Sequence, residues 1–324
     1  KPRRLGWSSL LGILLCLTTV SGGLVTAAGG ADHELHRHRI RKKHLQNCTR
    51  HAGRDDTRLA TWKPVLLAPD LMRFGTSAHP IDVDAVDFIN AVQHNLNVCG
   101  PLAEIGVYKG WFVAVMAAIA ASRDETVFAL DLFAEQHLNV DNSGGGRQHK
   151  PHVHYFWRAV RAVNATRRVQ TIQANSLELE SAQLLRVMRY HPRIFSIDGA
   201  HFGMGAFRDL VLASTVLHPK GVIAMDDYLN GGWPGVMQAV ATYLAVFPKG
   251  LRPFLATPRK LYLCRMSMHN EFLLAAKQRW EGASVCPSQA LKAKPDIRVT
   301  WDPSAYGSFV DLNADKRKLC SEPV

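Results

Sequence analysis

Four short stretches of this 324-residue chain place chemically able side chains directly after apolar runs. The first is Glu104-Ile105-Gly106-Val107-Tyr108-Lys109-Gly110, ahead of an Ala-rich run. Glycines in such a turn let a ligand approach the backbone, and the N-terminus of a following helix favours anionic groups. The spacing is Gly-x-x-x-Gly. It lacks the Gly-x-Gly-x-x-Gly that cradles a dinucleotide pyrophosphate, which argues against a nicotinamide dehydrogenase. The second stretch ends at Asp131, where an acid suits the two hydroxyls of a ribose. The third and fourth are Ile197-Asp198-Gly199-Ala200-His201 and Met225-Asp226-Asp227-Tyr228. Carboxylates converging at neighbouring strand ends repel one another unless something compensates, and a hard divalent ion such as Mg2+ with oxygen ligands does so. His201 beside them is a natural general base, because imidazole titrates near neutrality. Each stretch also has a plain structural reading: a strand-to-helix turn, a capping acid, or a histidine bonded to a loop carbonyl.

Rigid elements must bring these stretches together, and the periodicity supplies them. Segments at 102–107, 127–132, 169–174, 194–198, 222–226, 251–256 and 260–264 read as strands. Helical patterns lie between them, near 84–96, 111–121, 154–163, 177–190, 207–217 and 233–247. Short buried strands alternating with helices predict an α/β fold on a mainly parallel sheet, closed by a last strand pair. In such sheets the chemistry sits at the carboxyl ends of the strands. The segment between residues 133 and 155, with three consecutive glycines and His149, His152 and His154, reads as a lid over that end.

Taken together, Glu104-x-Gly106-x-x-x-Gly110, Asp131, Ile197-Asp198-Gly199-x-His201 and Asp226-Asp227-Tyr228 resemble a class I S-adenosylmethionine-dependent methyltransferase. More narrowly, the pattern over residues 95–265 is similar to the metal-dependent O-methyltransferases of macrolide sugars and to proteins grouped with cephalosporin hydroxylases. The run Asp131-Leu132-Phe133, Gln136, Asn139-Val140-Asp141 adds to that likeness. The resemblance implies a Rossmann-like sheet of about seven strands, the last antiparallel, with helices on both faces. It implies that Glu104, Gly106, Tyr108 and Gly110 hold the methionine part of S-adenosylmethionine, that Asp131 binds its ribose, and that Ser176 lies near its adenine. It further implies Mg2+ on Asp198, Asp226 and Asp227, with His201 taking the proton of an acceptor hydroxyl on a small molecule, sugar or glycan.

The remaining features bear on address and partners. The chain is 47% hydrophobic and 20% charged, enough for a sizeable core. Residues 1–60 carry 11 Lys/Arg against 4 Asp/Glu, a net +7 of the chain's +12, so no nucleic-acid-binding face is called for. Lys1, Arg3 and Arg4 precede an uncharged run from Leu5 to Ala28. That run fits a secretory signal peptide, is long enough for a single membrane anchor, and leaves organelle targeting as a third reading. We therefore expect a leader or anchor over residues 1–30, a basic His-rich stem over 31–60, a methyltransferase domain over 61–268 and an extension over 269–324. The expected setting is the secretory pathway, with a homo-oligomer as one option. Asn47-Cys48-Thr49 and Asn164-Ala165-Thr166 fit the glycosylation pattern. Beyond Cys16 there are five cysteines, an odd count that leaves at least one unpaired; Cys99 and Cys264 read as small core residues, and a Cys286–Cys320 pair is one option for the extension. Asp82-Val83-Asp84 raises a metal-dependent glycosyltransferase as an alternative, and a methyltransferase-like module without activity is another.

Overall fold

The computed structural model describes residues 58–68, 80–141, 152–281, 284–286 and 309–312. The leader, the basic stem and the glycines of the lid segment lie outside them, and so does His149. Among the described residues no helix is long and apolar enough to cross a membrane.

Two helices come first, α1 (Arg58–Leu66) and α2 (Pro80–Asn95). An alternation then follows: β1 (Leu102–Ile105), α3 (Trp111–Arg123), β2 (Val127–Asp131), α4 (Val153–Ala162), β3 (Val169–Gln173), α5 (Ser181–Met188), β4 (Ile194–Ile197), α6 (Gly203–Val216), β5 (Val222–Met225) and α7 (Pro234–Val246). The chain continues through β6 (Leu251–Ala256), β7 (Leu261–Arg265), α8 (His269–Arg279), β8 (Ser284–Cys286) and β9 (Phe309–Asp311). The strand order is β3-β2-β1-β4-β5-β7-β6-β9-β8. The first five strands are parallel, β7 runs antiparallel to both β5 and β6, and the seven-strand unit so formed is the one expected from the sequence.

Why these residues make these elements is visible in their burial. β1, β4 and β5 are buried at every position, as strands covered by helices on both faces must be. Their alternate side chains feed two cores. Leu102, Ile194 and Val222 pack with α2, α3, α4 and α8, whereas Ala103, Phe195 and Ile223 pack with α5, α6 and α7. α3 is apolar around its whole circumference and is correspondingly buried from Trp111 to Ala120. It starts after Gly110, whose left-handed backbone (φ 80°) brings Phe156 against the turn.

The segment beyond residue 268 adds to the sheet. Phe272 of α8 packs on Phe254 of β6 with ring centroids 4.9 Å apart, and β9 pairs in parallel with β6. α8 carries no apolar helical period to read: its apolar residues, 272–276, are consecutive, and only Phe272, Leu273 and Ala276 of them are buried. Cys264 is free and fully buried, as expected, but Cys99 is disulfide-bonded, not a lone core thiol.

At the amino ends of the strands, opposite the functional end, Arg193 is completely buried. Its guanidinium reaches Glu125 through Nε and Nη2 (2.6–3.0 Å), Gln93 Oε1 (2.8 Å) and Asn90 Oδ1 (3.1 Å). This staple ties α2 to the starts of β2 and β4.

Candidate active site

The order of strands reverses between β1 and β4, and a crevice opens outside their carboxyl ends, where α/β sheets bind ligands. It encloses about 410 Å3 and runs from Gly106, Tyr108 and Asp131 to Asp198, His201 and Asp227. That volume suits a cofactor-sized molecule.

Asp131 closes the near end. Its Oδ2 accepts the backbone N–H groups of Val107 (2.9 Å) and Tyr108 (3.1 Å), and its Oδ1 accepts Phe133 N–H (2.8 Å) and Gln136 Nε2–H (3.2 Å). Burial pushes its carboxyl above the ordinary value, and these donors work against that. Asp131 thus ties the turn after β1 to the turn after β2. Gly106 lines the crevice, but its glycine is required for another reason than ligand approach. At φ 78°, a Cβ there would sit 2.0 Å from the Asp198 carbonyl oxygen. The absent side chain lets the ends of β1 and β4 lie against each other.

Glu104 and Gly110 do not line the crevice. Glu104 is buried within β1; its Oε1 accepts Ser196 Oγ–H (2.9 Å) and its Oε2 has no partner. Burial above all, with the Asp198 charge adding, pushes its carboxyl up to about 8. A strand-end acid and a strand-interior acid look alike in sequence, and the boundary at Ile105 decides between them. Ser176 lines the far wall, and its side chain hydrogen-bonds Asp209.

At the other end, ligand atoms of Asp198, His201 and Asp227 lie within 4.8 Å of one another. His201 Nε2 is 3.2 Å from Asp227 Oδ2 and 3.5 Å from Asp198 Oδ1. Its Nδ1 faces Asp141 Oδ2 at 3.2 Å, and the same oxygen accepts the His201 backbone N–H at 2.7 Å. Trp233 lies against the ring, centroids 4.7 Å apart. Burial opposes a charge on His201, but its hydrogen bonds to Asp141, Asp198 and Asp227 outweigh it and push the imidazole up to about 12. Burial, then the Asp226 charge, pushes Asp198 up to about 7.

Asp226 departs from the expected ligand set. It is buried beneath the site, with Oδ2 2.8 Å from Lys260 Nζ and Oδ1 accepting Asp227 N–H at 2.9 Å. Compensation for the converging carboxylates therefore comes in part from a lysine that sequence reasoning did not single out. Asp141 was also given no role of its own. The sequence signal for both was weak: a lysine ahead of an apolar strand and an acid before a glycine-rich loop. Asp82 and Asp84, the Asp-x-Asp pair, sit on α2. Asp82 accepts Thr257 Oγ1–H and Tyr262 Oη–H inside the core, and Asp84 pairs with Lys63.

The donor set fits a hard divalent cation. Asp198 and Asp227 supply carboxylate oxygens at one spot, partly open to the crevice, with His201 Nε2 beside both.

A doubly wound sheet with an acid closing its second strand and a crevice across its switch point is an α/β architecture that binds nucleotide-like cofactors. Residues 103–228 match the family model described as a methyltransferase domain. No curated protein matches the chain. Among solved structures, the chain is similar to the O-methyltransferase NovP, at 19% identity and TM-score 0.45 over 57% of this chain and 79% of that one. It is similar to the calicheamicin methyltransferase CalS11 at 17% identity and TM-score 0.47, covering 76% and 99%. An O-methyltransferase from Bacillus cereus in complex with SAH shares 15% identity at TM-score 0.41, covering 65% and 90%.

Proposed function

We propose that this chain is a Mg2+-assisted O-methyltransferase that methylates a hydroxyl of a small molecule, sugar or glycan, with His201 as general base. The observation that carries this reading is the convergence of Asp198, Asp227 and His201 at one end of the crevice, with Asp141 behind the imidazole. When bound, S-adenosylmethionine supplies an electrophilic methyl group and Mg2+ lowers the pKa of a hydroxyl beside it.

The chain's own residues do the rest. Asp198 and Asp227 would hold the cation, and the crevice from them to Asp131 would take cofactor and acceptor together, so positioning would supply much of the rate. Asp141 orients Nδ1 of His201 and leaves Nε2 facing the acceptor end. The imidazole must be neutral to accept a proton. A cation on Asp198 and Asp227 takes away two of the three carboxylates that hold it charged. Trp233 packs against the ring and limits water beside Nε2.

The disulfide at Cys99 and the exposed Asn164 within its acceptor tripeptide support a secretory-pathway setting. The test is calorimetric titration of S-adenosylmethionine into the full chain, with and without Mg2+. Micromolar binding followed by Mg2+-dependent methylation of hydroxylated acceptors supports the reading. Absence of binding in both conditions rejects it.

A further inference from the structure

Lys260 immediately precedes β7 and is almost wholly enclosed, with its Nζ 4.1 Å from the centre of the Phe112 ring. A lone ammonium in such a place is costly, yet Lys260 stays charged. Burial disfavours its charge, and the charges of Asp226, Asp198, Glu104 and Asp82 outweigh that and raise its pKa. The contact it makes is specific. Nζ lies 2.8 Å from Asp226 Oδ2, and the other oxygen of the same carboxylate accepts Asp227 N–H at 2.9 Å. Asp227 itself has left-handed backbone, φ 54°, a conformation that costs a non-glycine residue energy and persists only when its surroundings impose it. That conformation turns its carboxylate towards His201 Nε2.

We propose that Lys260 is a positioning residue: a resident cation that anchors Asp226 so that Asp226, through the Asp227 backbone, aims the Asp227 carboxylate into the metal site. This rests on the reading that Asp198 and Asp227 hold the divalent ion. The negative charge at the strand ends is then divided between two cations. The lysine takes Asp226 from below, and the exchangeable ion takes Asp198 and Asp227 from the crevice. Asp226 is a ligand to the lysine and not to the metal.

The experiment uses the full chain and three variants, Lys260→Met, Asp226→Asn and the double change Lys260→Met with Asp226→Leu. Mn2+ and S-adenosylmethionine are each titrated by calorimetry, and the 15N resonances of the His201 ring are recorded without metal. Lys260→Met is expected to weaken Mn2+ binding by about tenfold or more while S-adenosylmethionine affinity stays within about threefold, as for outer partners of a metal site. The double variant removes Lys260 together with the carboxylate it touches, and is expected to keep its fold where the single change does not. It is expected to remain as weak for Mn2+, because Asp227 N–H has lost its acceptor, and to show a shifted Nε2 resonance. Asp226→Asn retains an acceptor oxygen and is expected to lose less. A double variant that binds Mn2+ like the unaltered chain and leaves the Nε2 resonance in place overturns the proposal, since Lys260 would then only neutralise charge. If the unaltered chain fails to bind Mn2+, the metal reading falls, and the Nε2 resonance alone still decides whether Lys260 positions Asp227.

Discussion

One oxygen of Asp141 holds His201 twice, accepting its backbone N–H at 2.7 Å and facing its ring Nδ1 at 3.2 Å. A single carboxylate thus fixes both where the residue sits and which ring nitrogen points to the acceptor. Replacing Asp141 by Asn puts an amide where a carboxylate accepts two donors. Turnover should fall by about 10- to 100-fold, the usual cost of losing a partner that orients a site residue. S-adenosylmethionine affinity, measured by calorimetry, should not change. Equal losses in affinity and turnover would mean that Asp141 shapes the crevice as a whole.

His201 sits among three carboxylates, and its protonation depends on what those carboxylates are doing. At saturating Mg2+ the rate should rise with pH until the imidazole is neutral. Lowering the Mg2+ concentration should move that rise to higher pH, because uncovered Asp198 and Asp227 hold the imidazolium. His201→Ala should remove the rising limb and cost about 10^2- to 10^4-fold in turnover, the range for a general base. A profile indifferent to Mg2+ would separate the base from the metal site.

Asp131 has four donors, three of them backbone N–H groups, so its removal affects more than a ribose. Asp131→Ala should abolish cofactor binding and also lower stability by about 2–4 kcal/mol, since partly buried donors lose their acceptor. Gln136→Leu is the control. It frees one position on Oδ1 while the three backbone bonds remain, and cofactor binding should persist. Thermal melting with and without S-adenosylmethionine reads both effects.

The sequence showed the strands, because short apolar runs such as β1, β4 and β5, buried at every position and set between helices, leave few alternatives. It also showed which strand ends carry acids. It did not show how those acids divide. Asp226 and Asp227 are adjacent, yet a left-handed backbone at Asp227 sends one carboxylate down to Lys260 and the other up to His201. Adjacent residues on a strand alternate faces, but at a strand end the turn decides, and its φ cannot be read from residue type when the residue is Asp. Glu104 was assigned to the site from its place in a motif, and one residue of strand length puts it in the core instead. Lys260, Arg193 and Asp141 act through partners 34, 68 and 60 residues away, respectively, and contacts at that range leave no local pattern.

Glu104 makes stability depend on pH with a definite sign. Its folded carboxyl is pushed up to about 8 from an ordinary 4.5, so between those values the folded protein keeps a proton that the unfolded chain has released. The stabilisation is complete below about 4.5 and is lost as pH rises through about 8. Asp198, pushed up to about 7, adds a slope of the same sign. Glu104→Gln keeps an acceptor for Ser196 Oγ–H and has no proton to lose. In metal-free protein its melting temperature should fall less steeply than the unaltered chain's between pH 5 and pH 8, as followed by circular dichroism; those limits span roughly the window set by the two values. Parallel curves for the two proteins would mean that Glu104 is ionised in the fold.

Arg193 tests the opposite end of the sheet, where no chemistry is expected. Its guanidinium is completely buried and is shared among Glu125, Gln93 and Asn90. Arg193→Met leaves the Glu125 carboxylate enclosed without its partner, and breaking a buried pair in this way costs about 3–5 kcal/mol. Removing both charges, with Arg193→Met and Glu125→Leu together, should recover much of that loss, since the desolvation cost disappears along with the attraction. Denaturant unfolding of the single and double variants measures the difference. S-adenosylmethionine affinity of whatever folds should be unchanged, because the staple acts at the amino ends of β2 and β4 and the crevice lies at their carboxyl ends. If the double variant is no more stable than the single, the hydrogen bonds to Gln93 and Asn90 hold the staple, and the charge on Glu125 is secondary.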